Sequence, residues 1–177
     1  TISQDNQDAV VLSTTSGVYA TGLTLAASGG LGTGAYSFAI ATAGTAGCSI
    51  TSGVLNATSP GACTVTATRD TSTNYVATSS VATTVTIGKA TQSVVTLTST
   101  SGTFNTNMPL TASGGTGLGS YSYAVTDAGS AGCSLATSTS LRSSGAGTCT
   151  VTATRAGDSN YDSKSSAATT VTFARDS

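Results

Sequence analysis

The chain has 177 residues and a formal net charge of -1, with 6 Lys and Arg against 7 acidic residues, all of them Asp. More than a third of the residues are Ser or Thr, 21 are Gly, and there is no His, Trp or Glu. Without His there is no Ser-His-Asp or Cys-His nucleophile pair and no imidazole metal ligand, and so few cations exclude an electrostatic nucleic-acid binder.

With 38% hydrophobic residues and almost no net charge, the chain is not disordered in type. Its apolar residues are interleaved with Thr, a mixture that suits a pleated surface buried on one side. In chain order, Val10 and Leu12 share one face of a first short strand. Leu23, Leu25 and Ala27 continue the period of two, and Gly29 to Gly34 form a glycine-rich loop. Tyr36, Phe38 and Ile40 then alternate with Ser37 and Ala39. Cys48 and Ile50 lead into a Ser52-Gly53 turn, followed by Leu55 and Ala57. Cys63, Val65 and Ala67 alternate with Thr64, Thr66 and Thr68, and Val85 and Ile87 close the series. No stretch carries a helical period, and no apolar run approaches a membrane span.

The series then repeats. Gln7 recurs as Gln92, Ser28-Gly29-Gly30 as Ser113-Gly114-Gly115, and Ala46-Gly47-Cys48-Ser49 as Ala131-Gly132-Cys133-Ser134, all 85 residues apart. Cys63 to Arg69 recurs as Cys149 to Arg155, now 86 apart, so one residue was inserted between Leu135 and Leu141. More than half of the aligned positions are identical. The expected domains are therefore 1–88 and 89–177. Thr1-Ile2 aligns with the last strand of a copy, so residues 1–3 are expected to end a preceding repeat, in a segment cut from a longer array. About seven short strands per copy, turning every 8–12 residues, is the signature of an antiparallel β-sandwich. The expected fold is all-β: two tandem immunoglobulin-like sandwiches.

An 85-residue sandwich buries little surface and needs extra stabilisation. Two cysteines per copy fall on the core-facing parity, Cys48 with Ile50 and Cys63 with Val65. This predicts bonds Cys48–Cys63 and Cys133–Cys149, one inside each copy, and an oxidising compartment. Two buried free thiols per copy are the alternative.

Gly61-Ala62-Cys63-Thr64-Val65-Thr66-Ala67-Thr68, then Asn74-Tyr75 and Thr83-Thr84-Val85-Thr86-Ile87, resemble the C-terminal half of tandem bacterial immunoglobulin-like repeats. So do Ser28-Gly29-Gly30, Tyr36-Ser37-Phe38-Ala39 and the linker Gly88-Lys89-Ala90-Thr91-Gln92. The resemblance covers the whole chain, twice. It implies a segment of a large secreted or surface-anchored bacterial protein of the invasin-like type. The cysteine pair departs from the commonest invasin-type pattern.

The chemically suggestive residues have ordinary alternatives. Asp158, Asn160 and Asp162 form D-x-N-x-D, like the start of a calcium loop, but lack its glycine and closing Glu, and copy one has Ser72, Asn74 and Val76 there. A solvated turn is the expected role. Asp5, Asn6 and Asp8 sit at a junction, but Ala90, Thr91 and Ser93 replace them in copy two. Thr64, Thr66 and Thr68, with Thr150, Thr152 and Thr154, form T-x-T ladders that could order water. A single strand is too narrow for an ice-binding face, and sheets twist. Lys89 and Lys164 are not equivalent and lie in no apolar strand, which disfavours isopeptide bonds. Arg69 and Arg155 match at a strand end and are expected to pair with local carbonyls or acids. Tyr75 and Tyr161 match as half-buried rings whose hydroxyls tie down a loop. Asn56-Ala57-Thr58 is a glycosylation sequon.

No catalytic, metal or cofactor site is expected, and no enzyme. The expected role is a structural repeat in an extracellular bacterial surface protein or fibre, a stalk whose partners are neighbouring repeats of its own chain. A filament subunit, meeting like subunits through edge strands, is an alternative. Another is an adhesin domain meeting a host or environmental glycan or protein through Gly29 to Gly34 and Gly114 to Gly119. Neither nucleic acid nor membrane insertion is expected.

Overall fold

The computed structural model describes residues 3–175; the assignment of Thr1-Ile2 to a preceding repeat lies outside them. The chain divides into two compact units, Thr1–Ala90 and Thr91–Ser177.

In the first unit the strands are β1 (Val10–Leu12), β2 (Ser16–Val18), β3 (Leu23–Thr24), β4 (Ala27–Gly29), β5 (Tyr36–Thr42), β6 (Ser49–Thr51), β7 (Val54–Asn56), β8 (Gly61–Arg69), β9 (Thr78–Ser79) and β10 (Thr83–Gly88). One sheet has the order β2-β10-β8-β5, with β9 also on β8. Two smaller sheets, β1-β4 and β3-β7-β6, supply the other layer. β8, nine residues long, lies between β10 and β5, and its side chains alternate between the two faces. Cys63, Val65 and Ala67 are buried on one face, and Thr64, Thr66 and Thr68 lie half-buried on the other. The core packs those three residues against Val10, Leu12, Leu25, Leu55, Val85 and Ile87.

The second unit repeats this with β11 (Val95–Leu97), β12 (Ser101–Thr103), β13 (Met108–Pro109), β14 (Ala112–Gly114), β15 (Tyr121–Asp127), β16 (Ser134–Thr137), β17 (Ser140–Arg142), β18 (Gly147–Arg155), β19 (Lys164–Ser165) and β20 (Thr169–Ala174). Its large sheet runs β12-β20-β18-β15 with β19 on β18, beside β11-β14 and β13-β17-β16. Its core includes Val95, Leu97, Leu110, Leu141, Val151, Val171 and Phe173. Both units are immunoglobulin-like antiparallel sandwiches, with no helix among the described residues.

Each unit carries its own disulfide. Cys48 bonds Cys63 across a Cα–Cα distance of 6.2 Å, and Cys133 bonds Cys149 across 6.1 Å. Both link the residue just before an edge strand of the small three-stranded sheet, β6 or β16, to β8 or β18 of the large one. Closing loops of 15 and 16 residues constrains the unfolded chain by roughly 3 kcal/mol each.

Three details differ from the sequence expectation. The run Leu23 to Ala27 is not one strand: β3 pairs with β7, whereas β4 pairs with β1. The chain changes sheets at Ala26, whose N–H donates to Thr14 Oγ1 at 2.9 Å and whose carbonyl accepts from Ser13 N at 2.8 Å. The edge strand β2 is parallel to β10, with Gly17 opposite Ile87. Its Ser-Gly-Val sequence has no alternation to reveal it, because its place is set by close approach. A Cβ on Gly17 would lie 3.0 Å from Leu23 and 3.3 Å from Ile87. Finally, the residue inserted in copy two is absorbed as a bulge in β16 between Leu135 and Thr137. Leu135, before the bulge, keeps its place opposite buried Leu141, as Ile50 does opposite Leu55, and is 38% exposed.

Candidate functional site

The most elaborate polar constellation in each unit surrounds the glycine-rich loop, and the sequence reading used one of its members only as a repeat marker. Gln7 is buried at the entry to the first unit. Its amide nitrogen donates to the carbonyls of Asp70 at 3.1 Å and Val76 at 2.9 Å, and its oxygen accepts from Gly32 N at 3.3 Å. Gln92 is 2% exposed and does the same in the second unit, with Ala156 O at 3.0 Å, Asp162 O at 2.8 Å and Gly117 N at 3.2 Å. One side chain thus ties the incoming segment, the end of the central strand, the glycine loop and the loop that follows the central strand.

Arg69 and Arg155 hold the same loop from the other side. Each donates through Nη2 to a loop carbonyl, Gly32 O or Gly117 O. Each guanidinium lies over a tyrosine ring, Tyr36 at 4.6 Å and Tyr121 at 4.7 Å. The hydroxyls of those tyrosines donate to Gly29 O and Gly114 O, both at 2.5 Å. The expectation that the arginines meet local carbonyls holds; the tyrosine hydroxyls seen tying the glycine loop are those of Tyr36 and Tyr121, while Tyr75 and Tyr161 lie half-buried. At Gly29, φ is +88° and an added Cβ would sit 2.1 Å from Ala9 O. Glycine is required there by conformation and by close approach.

The other candidates are absorbed by the fold. Asp158 caps its own turn: Oδ1 accepts from Asn160 N at 2.8 Å and Tyr161 N at 2.9 Å, and Oδ2 accepts from Leu118 N at 2.6 Å. All three contacts draw the carboxylate toward backbone N–H groups. Asp162 lends its carbonyl to Gln92, and the Asn160 backbone completes the turn. Asp5 forms a backbone bridge to Tyr75, while Asn6 and Asp8 are exposed. Lys164 Nζ donates to Gln92 O at 3.0 Å, and Lys89 is exposed. In the sequon, Asn56 is exposed at the end of β7 and Thr58 Oγ1 donates to Ala46 O at 3.3 Å. Among the described residues no group of three or more Cys, Asp, Glu or His gathers.

The threonine ladders are wider than the single strand assumed from sequence. Thr64 faces Thr42 on one side and Thr84 on the other, and Thr68 lies between Ser37 and Ser79. Hydroxyl pairs at 2.6 Å (Thr42–Thr64) and 2.7 Å (Thr68–Ser79) spend part of their capacity on one another. The same pairing recurs at Thr154–Ser165, 2.7 Å. One titration stands out: burial, then the charge of neighbouring Tyr121, raises the Tyr123 hydroxyl above its usual 10.0.

Two clefts remain. One in the first unit, about 330 Å³, runs beside the clamped loop along Leu31, Thr33, Asn74 and Tyr75. One in the second unit, about 450 Å³, lies where the β12–β13 turn meets the end of β17, at Phe104, Asn105, Asn107 and Arg142.

No protein-family model and no curated protein sequence matches the chain. Among solved structures it is similar to N-cadherin EC1-4 from Drosophila, at 12% identity and a TM-score of 0.36, over 97% of this chain and 52% of that one. It is also similar to protocadherin gammaB7 EC3-6, solved as a cis-dimer, at 16% identity and a TM-score of 0.37, over 97% of this chain and 53% of that one. The chain therefore spans about half the length of either neighbour. At such scores the likeness carries neither fold nor function, and both rest on this chain's own geometry.

Proposed function

We propose that the chain is a non-catalytic structural segment of an extracellular bacterial surface protein or fibre, with repeats at 1–88 and 89–177. The observation that carries this reading is the duplication of the architecture itself. Disulfide, buried Gln, loop-clamping Arg and Tyr all recur in both copies at the same geometry. What is held constant between copies is therefore what resists unfolding. A disulfide in each small sandwich suits an oxidising exterior. The glycine loops, which a binding module would use, are clamped from inside by Gln and Arg. This favours a spacer over an adaptable binding tip, and neighbouring repeats as its partners.

The test is reach. Arrays of two, four and eight units are placed between a bacterial surface anchor and an epitope. A spacer raises the epitope above the cell by a constant increment per unit, read by fluorescence height microscopy. A height that does not grow with copy number contradicts the proposal.

A further inference from the structure

The second unit carries side chains at one cleft that the first unit does not have at the equivalent positions. The cleft of about 450 Å³ at its β12–β13 turn is lined by Phe104, Asn105, Asn107, Arg142, Ser143 and Ser144, with Gly132 and Ser134 beneath. By the 85- and 86-residue offsets, the copy-one equivalents of the first six are Tyr19, Ala20, Gly22, Asn56, Ala57 and Thr58. All six differ, in a pair of copies that agree at more than half of their positions. Four of the changes add a hydrogen-bonding group or a charge: Ala20 against Asn105, Gly22 against Asn107, Asn56 against Arg142 and Ala57 against Ser143.

The fold does not ask for these groups. Asn105 has φ +66°, which Asn tolerates, yet copy one makes the same turn with Ala20 at φ +61°. A side chain at Gly22 would meet Val54 at 2.8 Å, and copy two has Ser140 in the place of Val54, which opens the space that Asn107 uses. Among the described residues neither Asn side chain hydrogen-bonds to the protein, and Ser143 Oγ is buried with no partner. Arg142 donates through Nε to Ser134 Oγ at 3.3 Å, which orients the guanidinium. Among the described residues its two terminal nitrogens remain uncommitted.

We propose that this pocket binds a sugar carrying a carboxylate, a uronic acid residue. A guanidinium fork with free terminal nitrogens matches a carboxylate in two parallel hydrogen bonds. Two primary amides and the Ser144 hydroxyl, whose own proton goes to Ala131 O at 3.3 Å, offer the mixed donors and acceptors that vicinal sugar hydroxyls need. The half-buried Phe104 ring supplies an apolar wall for the C–H face of a pyranose. A single cation suits one carboxylate and not a polyanion. The volume falls within the range of small-molecule sites. This site is independent of the spacer reading, since a spacer array can carry a ligand pocket in some of its repeats.

The experiment titrates the whole 177-residue chain with methyl β-D-glucuronide and, in parallel, neutral methyl β-D-glucoside, followed by ¹H–¹⁵N correlation spectra. The expected result is a dissociation constant on the order of 1 mM for the glucuronide. Shifts gather at Asn105, Asn107, Arg142, Ser143 and Ser144 and leave Ala20, Gly22, Asn56 and Ala57 unmoved. The glucoside binds at least about tenfold more weakly, the loss expected for a missing charge-assisted pair. The variants Arg142→Asn and Ser143→Ala install the copy-one residues, so the fold is kept; its retention is read from unshifted core resonances. Arg142→Asn weakens glucuronide binding by about tenfold or more. No shifts at 20-fold excess over that constant, equal binding of both sugars, or unchanged affinity in Arg142→Asn each overturn the proposal.

Discussion

Replacing Gln92 by Ala removes one buried side chain and strands four backbone groups. Three of its contacts have good geometry, at 2.8, 3.0 and 3.2 Å, and the fourth, to Arg155 O at 3.4 Å, is long. At about 1 kcal/mol per good bond, and with a further loss from the cavity left at a site 2% exposed, the cost is about 3–5 kcal/mol. A domain of this size has roughly 4–13 kcal/mol in all, so the second unit loses a large share of its stability while the first is untouched. Thermal unfolding monitored by amide resonances of each unit separates the two transitions. The second unit is expected to melt lower by about 12–40 °C. Gln92→Leu keeps most of the volume but strands the same carbonyls and the Gly117 N–H, so it is expected to recover less than half of the loss. A drop below about 1 kcal/mol, or an equal drop in both units, would refute the role assigned to this glutamine.

Other expectations follow from the same geometry. The double variant Cys133→Ala/Cys149→Ala lowers the stability of the second unit by roughly 3 kcal/mol, measured by urea denaturation, and leaves the first unit unchanged. Gly29→Ala, whose Cβ would lie 2.1 Å from Ala9 O, destabilises more than Gly53→Ala, whose Cβ meets nothing within 4 Å although its φ is also positive. The second change costs about 1 kcal/mol from backbone conformation alone, and equal melting temperatures for the two variants would contradict the close approach at Gly29. Tyr123 has its hydroxyl raised by burial, and then by Tyr121, above 10.0. The folded state thus holds the proton more tightly than the unfolded one, so this contribution is complete below pH 10 and is lost as pH rises through the folded value. In Tyr123→Phe, the residue that copy one carries as Phe38, the fall in melting temperature between pH 10 and 11 is shallower than in the parent.

The parts of the fold legible in the sequence were those written in side-chain alternation. Cys63, Val65 and Ala67 against Thr64, Thr66 and Thr68 mark the central strand, and the cysteine parity points to the bond that forms. What was not legible depends on partners. β2 holds its place through Ile87 and Leu23, and no pattern of its own announces it. The break at Ala26 is made by Thr14 and Ser13, residues in a different segment. The glutamine knot left one trace: Gln7 recurs as Gln92 while Asp5, Asn6 and Asp8 around it all change. A polar residue kept between copies where its neighbours vary is the mark of a buried polar role. The cleft in the second unit was invisible for the opposite reason, since attention to what the copies share passes over Asn105, Asn107 and Arg142.

Force applied between the two ends of the chain tests most directly that each sandwich is a separate mechanical unit closed by its own disulfide. Two unfolding steps of similar length are expected under oxidising conditions. With a reductant present, each step lengthens by about 50 Å, the extended span of the 15 or 16 residues that each bond sequesters. A single step releasing the whole chain, or steps whose lengths ignore the reductant, would contradict the account.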